Sequence, residues 1–176
     1  MVIKPESDRL LVEWNDTGAD YPQNKCIHQL FEEQVEKTPD AVAAVFEDQQ
    51  LTYDELNQRA NQLACYLQDL GVGPEVLVGL CVERSLDMVV AMLGILKAGG
   101  AYVPLDPAYP AERLAFMRED AALSIIVTQD KLTSSLTASS LKLVSLDRDV
   151  ARPGKDSGSV ARPGKFSDSD VADAER

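Results

Sequence analysis

Residues that usually advertise a site are scarce in this sequence. Its 176 residues include one histidine, three cysteines and one tryptophan, and aromatics make up 6%. Cys26, Cys65 and Cys81 are too few and too widely spaced for a zinc knuckle, and no CxxC pair occurs. Cys65 and Cys81 lie in Ala64-Cys65-Tyr66 and Leu80-Cys81-Val82, apolar settings in which cysteine packs as a small hydrophobe. Reduced thiols in a cytoplasmic protein are the expectation. His28 is the only imidazole available to activate a nucleophile, and Cys26-Ile27-His28-Gln29-Leu30-Phe31 reads as the start of an amphipathic helix. That setting suits a structural or solvated histidine rather than a catalytic one.

Positive charge is also in short supply, with 17 Lys/Arg against 29 Asp/Glu and a net charge of −12. Nucleic-acid binding needs the opposite balance, so nucleic acid is excluded as a partner. Residues 1–50 hold four Lys/Arg against eleven Asp/Glu, which places most of the excess at the N-terminal side. The uncharged apolar run Met88 to Leu96 is far too short to span a bilayer, and no secretory signal is visible, so no membrane role is expected. What is plentiful is ordinary: 45% hydrophobic and 26% charged residues describe a globular domain, not a disordered chain.

Nucleotide motifs are missing too. Neither GxxxxGKS/T nor GxGxxG occurs. Gly154-Lys155 and Gly164-Lys165 are followed by Asp156 and Phe166 where a phosphate loop needs Ser or Thr, and no glycine cluster precedes them to aim amides at an anion. The pairs Glu32-Glu33 and Glu119-Asp120 read as solvated helix faces, not as an acid/base dyad.

Periodicity supplies the fold class. A polar arm with a single anchor, Trp14, precedes a helical pattern of Ile27, Leu30, Phe31 and Val35 that stops at Thr38-Pro39-Asp40. Ala41 to Phe46 reads as a strand entering a hairpin through Glu47 to Gln50. Thr52 and Glu55 form a capping box for a helix whose stripe is Leu56, Ala60, Leu63, Leu67 and Leu70, closed by Gly71. Val76 to Val82 is a buried parallel strand by composition. A helix from a Ser85 cap to about Ala98 is apolar on nearly every side and so belongs between layers. Gly99-Gly100, an extended Ala101 to Val103, a proline-bracketed turn and a helix from Pro110 to about Asp120 follow. Ser124 to Val127 and Leu141 to Leu146 are two more strands. Alternating strands and helices of these lengths predict an α/β, doubly wound βαβ sheet. Ligands in such sheets gather at the carboxyl ends of the strands, which here show little obvious chemistry. Beyond residue 150, Val-Ala-Arg-Pro-Gly-Lys occurs twice, at 150–155 and 160–165, too short a repeat for a solenoid and read as a flexible tail.

Two segments resemble core motifs of the adenylation domains of nonribosomal peptide synthetases, members of the adenylate-forming ligase superfamily. Leu51-Thr52-Tyr53-Asp54-Glu55-Leu56 is similar to the first motif. Leu96-Lys97-Ala98-Gly99-Gly100-Ala101-Tyr102-Val103-Pro104-Leu105-Asp106-Pro107, continued by Tyr109-Pro110 and Arg113, is similar to the second. Trp14-Asn15 with Thr17, Tyr21-Pro22, Ile27-His28, Leu30-Phe31-Glu32 and Pro39-Asp40-Ala41 resemble the linker from a condensation domain. The resemblance implies an organisation of residues 1–25 as interdomain linker arm, 26–149 as the N-terminal part of an AMP-binding domain and 150–176 as the repeat tail. It implies a family that uses ATP and Mg²⁺ to convert an amino acid to its adenylate and then loads a phosphopantetheine thiol. The condensation domain, the remainder of the adenylation domain and a carrier domain are the implied partners. The family's phosphate loop, substrate-anchoring acid and catalytic lysine do not follow Leu146. No catalytic, cofactor-binding or metal residue is therefore assigned, and the chain alone is expected to be inactive. An interaction module or split-enzyme half acting in trans, a truncated gene product, and an acyl or aryl acid ligase fragment of the same superfamily remain alternatives.

Overall fold

The computed structural model describes residues 9–20, 22–136 and 141–150. All of the repeat except Val150 lies outside the described residues, and Val150 itself is buried in the core. The elements run α1 (Ile27–Lys37), β1 (Val42–Phe46), β2 (Gln49–Thr52), α2 (Tyr53–Asp69), β3 (Leu77–Cys81), α3 (Leu86–Lys97), β4 (Ala101–Pro104), α4 (Ala111–Asp120), β5 (Ile125–Thr128) and β6 (Lys142–Ser145). Short 3₁₀ turns occupy Glu13–Asn15 and Asp130–Ser135.

β3 to β6 form a four-stranded sheet in the order β4-β3-β5-β6, parallel throughout. The chain steps from β3 out to β4 and then returns across β3 to β5. Crossovers of one hand that travel in opposite directions place their helices on opposite faces. The core divides accordingly. Val78, Leu80, Ile125, Val127 and Val144 pack with Leu63, Leu67, Ala91 and Ile95 of α2 and α3. Cys81 and Ile126 pack on the other side with Leu114 of α4, Leu105, Leu123 and Leu136. The doubly wound α/β class is thus realised. From Ser85 to Gly100 every residue is at least half-buried, as an all-round apolar helix requires.

Helix ends follow local chemistry. Thr52 Oγ1 accepts from the Glu55 amide at 3.2 Å and the Glu55 carboxylate accepts from the Thr52 amide at 2.9 Å, a complete capping box. Gly71 and Gly99 both take φ of 89°. The amides of Gly71 and Val72 reach back to the Gln68 and Leu67 carbonyls, and those of Gly99 and Gly100 to Leu96 and Ile95. Each is a Schellman closure. α4 ends the same way through Ala122 and Leu123, but Ala122 adopts φ of 48° without the freedom of glycine.

Five sequence expectations are corrected. Ser85 does not cap α3, because its hydroxyl donates to the Glu83 carbonyl at 3.1 Å instead. Pro110 is the residue before α4 rather than in its first turn. Gln49 and Gln50 belong to β2, so the hairpin turns on Glu47 and Asp48 alone. Trp14, expected as an anchor, is 65% exposed, and Ile27, expected in the inward stripe of α1, is 67% exposed. No helix of the described residues is long and apolar enough to cross a membrane.

Candidate functional site

The carboxyl ends of β3, β5 and β6 converge on one polar network. The Glu83 amide, just beyond β3, donates to Gln129 Oε1 at 3.0 Å, and Lys131 pairs with the Glu83 carboxylate. Asp130 Oδ1 accepts from Ser145 Oγ and from Arg148 Nε, both at 2.5 Å. The Asp130 amide donates to Asp147 Oδ2 at 2.8 Å, and the Ser145 amide to Asp149 Oδ2 at 2.7 Å. The buried Thr128 hydroxyl has no hydrogen-bond partner.

The arrangement stabilises charge but does not poise it for chemistry. Hydrogen bonding from Ser145, aided by Arg148, holds the Asp130 carboxyl below its usual range, so it is an anion at neutral pH and cannot serve as an acid. Ser145 is 1% exposed and gives its proton to that carboxylate in a hydrogen bond. No imidazole completes the pair, because His28 stands on α1 beside Glu32, with burial lowering its pKa. The two network cations, Lys131 and Arg148, are held by Glu83 and Asp130. Among the described residues no group of three or more His, Cys, Asp or Glu could hold a metal ion. Among the described residues there is thus no three-carboxylate cage for Mg²⁺, and both network cations are already paired within the chain. The network ties three strand ends and the 3₁₀ turn together.

The motif residues lie elsewhere and perform structural work. The first motif is the hairpin exit and capping box of α2. The second follows the C-terminal end of α3 through its glycine closure into β4 and the loop to α4. Its Lys97 has a side chain only 1% exposed and donates to Glu32 of α1 and, at 2.8 Å, to Asn57 of α2. Glu32 therefore ties two helices together while its side chain stays 40% exposed. Asp106 Oδ1 accepts from the Ala108 amide at 2.9 Å, and the Arg113 guanidinium sits 4.2 Å from the Tyr109 ring centroid. Sequence reasoning misses the network at the strand ends, since its members are short polar residues scattered from position 83 to 149. The one signal is the expected siting of ligands at strand carboxyl ends.

A protein-family model described as AMP-binding enzyme matches residues 31–174, most of the chain. The chain belongs to the AMP-binding enzymes. It is 58% identical over 149 residues to a linear gramicidin synthase of Brevibacillus parabrevis, covering 85% of this chain and 2% of that protein. Against bacitracin synthase 1 of Bacillus licheniformis the figures are 50% over 147 residues, 84% and 3%. The chain spans only 2 to 3% of the length of such curated relatives. Among solved structures, the nonribosomal peptide synthetase FmoA3 in its AMPPNP-bound form superposes with a TM-score of 0.77 at 32% identity, covering 90% of this chain and 17% of that one. The Klebsiella oxytoca NpsA N-terminal subdomain superposes at 0.69 and 23% identity, over 83% of this chain and 36% of that one, a likeness of fold. This AMP-binding chain corresponds to the N-terminal portion of a nonribosomal peptide synthetase adenylation domain.

Proposed function

We propose that the chain supplies the N-terminal scaffold of a domain that activates an amino acid with ATP. In that reaction the substrate carboxylate attacks the α-phosphorus, pyrophosphate leaves, and the phosphopantetheine thiol of a carrier domain later displaces AMP from the acyl carbon. The likeness to FmoA3, which has been solved bound to α-methyl-L-serine-AMP at a TM-score of 0.77 and 32% identity, carries this reading. Aryl-acid activation, suggested by NpsA with 3-hydroxyanthranilyl-AMSN, rests on 24% identity and is the weaker reading. Residues 1–25 are proposed as a linker from a condensation domain, 26–149 as the adenylation portion and 150–176 as a tail. Composition supports the last boundary, while the family match runs on to 174. Cys26, Cys65 and Cys81 form no disulfide with one another, and reduced thiols suit the cytoplasm.

Amino-acid-dependent exchange of labelled pyrophosphate into ATP tests the proposal. The 176-residue chain by itself should show none. Fused to the complementary portion of the adenylation domain of the linear gramicidin synthase, it should show exchange. Activity of the chain alone, or a folded chimera without activity, overturns the reading.

A further inference from the structure

Of the four helices, α1 alone gives no residue to either core cluster. Val35 is its one buried side chain, while Ile27 and Leu30 are exposed. A helix of eleven residues is marginal in water by itself, so α1 depends on what it touches. The residues that lead into it, 9–20 and 22–26, are all exposed. Two side chains do most of the joining to the body. The Phe31 ring lies 5.8 Å from that of Tyr53, the first residue of α2, and Glu32 pairs with the buried Lys97 ammonium at the end of α3. Lys97 also stands 5.9 Å from the Phe31 ring centroid and donates to Asn57 of α2.

A charge pair makes a reversible joint. Deleting one partner strands the other in a dry place, but separating the two lets water hydrate both. The cluster built on Leu63, Leu67 and Ile95, all fully buried, has no such exit, because apolar surface gains nothing from water. We infer that α1 is a strap that lifts from the folded body as a unit, with the Glu32–Lys97 pair as its fastener. Elements with few buried apolar contacts are the ones that open locally while the rest stays folded. Lys97 belongs to the segment that resembles the second motif and stands two residues before the Gly99 closure that leads to β4. The strap therefore ties the exposed stretch before α1 to that motif through one side chain, and lifting it uncovers the Lys97 amine.

The test is native-state hydrogen exchange on the 176-residue chain, read together with acylation of the Lys97 amine. Each rate is expressed relative to the same group in the urea-unfolded chain. The amides of residues 31–37 and the Lys97 amine should be equally protected, and both at least about tenfold less protected than the amides of residues 60–67 in α2. Low urea should speed exchange in α2 and leave that of α1 nearly unchanged, because lifting the strap exposes little surface. Glu32→Gln should lower the protection of residues 31–37 and of Lys97 together, by at least about tenfold. Glu33→Gln, which removes only the exposed pair with Lys25, should change either by less than about threefold. Exchange of α1 and α2 at one level of protection with one urea dependence means that α1 leaves only with the whole fold, and it overturns the inference. So does early exchange of α1 with Lys97 as protected as α2, which is fraying without release of the fastener. Equal effects of the two variants overturn the assignment of Glu32.

Discussion

β1 and β5 look alike as strings. Val-Ala-Ala-Val-Phe and Ile-Ile-Val-Thr are both short, uncharged and rich in β-branched residues, and both qualify as core strands. In the structure all four residues of β5 are buried and none of β1 is. β5 is flanked by β3 and β6 and covered on both faces, whereas β1 has one strand beside it and helices on one side. Apolar composition thus records the capacity to be buried. The number of neighbours decides whether that capacity is used.

The contrast can be broken most directly by truncation. Ile126→Ala in β5 should cost about 3 to 4 kcal/mol through lost transfer energy and a cavity, read as a lower urea midpoint. Val45→Ala in β1 should stay within about 0.5 kcal/mol of wild type in the isolated chain. Similar losses from the two would remove the distinction between the regions.

The polar member of the packed layer gives a sharper comparison, because its two partners differ in exposure. Glu32→Gln leaves the Lys97 ammonium buried without its carboxylate and should cost about 2 to 3 kcal/mol. Lys97→Met releases Glu32, which is 40% exposed and readily hydrated, so its cost should be under about 1 kcal/mol. Urea unfolding of both variants checks the order, and a reversed order would contradict the burial assigned to Lys97.

Smaller effects come from the helix ends. Ala122 is exposed and sits at φ of 48°, so Ala122→Gly should stabilise by about 0.5 to 1 kcal/mol, seen as a higher melting temperature.

The thiols separate the regions without any change at neutral pH. Burial pushes the Cys81 thiol up to about 11, while Cys26 is exposed. The folded state then holds a proton that the unfolded chain releases at its ordinary value of 9. Stability is complete below that value and is lost as pH climbs from 9 toward 11. Cys81→Ala should flatten this alkaline slope, and a disulfide reagent should label Cys26 at once and Cys81 only on unfolding.

Much of the fold was legible. The Thr52–Glu55 box, the Gly71 and Gly99 closures, the apolar surround of α3 and the strand-helix alternation are all local patterns, each set by hydrogen bonds or periodicity within a few residues. Trp14 and Ile27 were misjudged because an apolar side chain does not declare whether anything will cover it. Ser85 was misjudged because Asp, Ser and Thr near a helix start can serve several backbone groups, and here the Glu83 carbonyl took the hydroxyl. The strand-end network was not legible, since Glu83 and Gln129, or Asp130 and Ser145, meet only when β3, β5 and β6 align.

Scarcity of histidine, cysteine, cationic charge and glycine-rich loops was visible at once, and with it the lack of zinc-knuckle, CxxC and phosphate-loop motifs. Element types, caps and family likewise belong to the sequence itself, because they depend on neighbours along the chain. The tertiary structure alone decided that Lys97 would be an internal tie between α1, α2 and α3, that four carboxylates would gather at the strand ends, and that β1 would remain open. Those outcomes depend on contacts between residues up to 65 positions apart, and burial is a property of what stacks on a residue rather than of the residue.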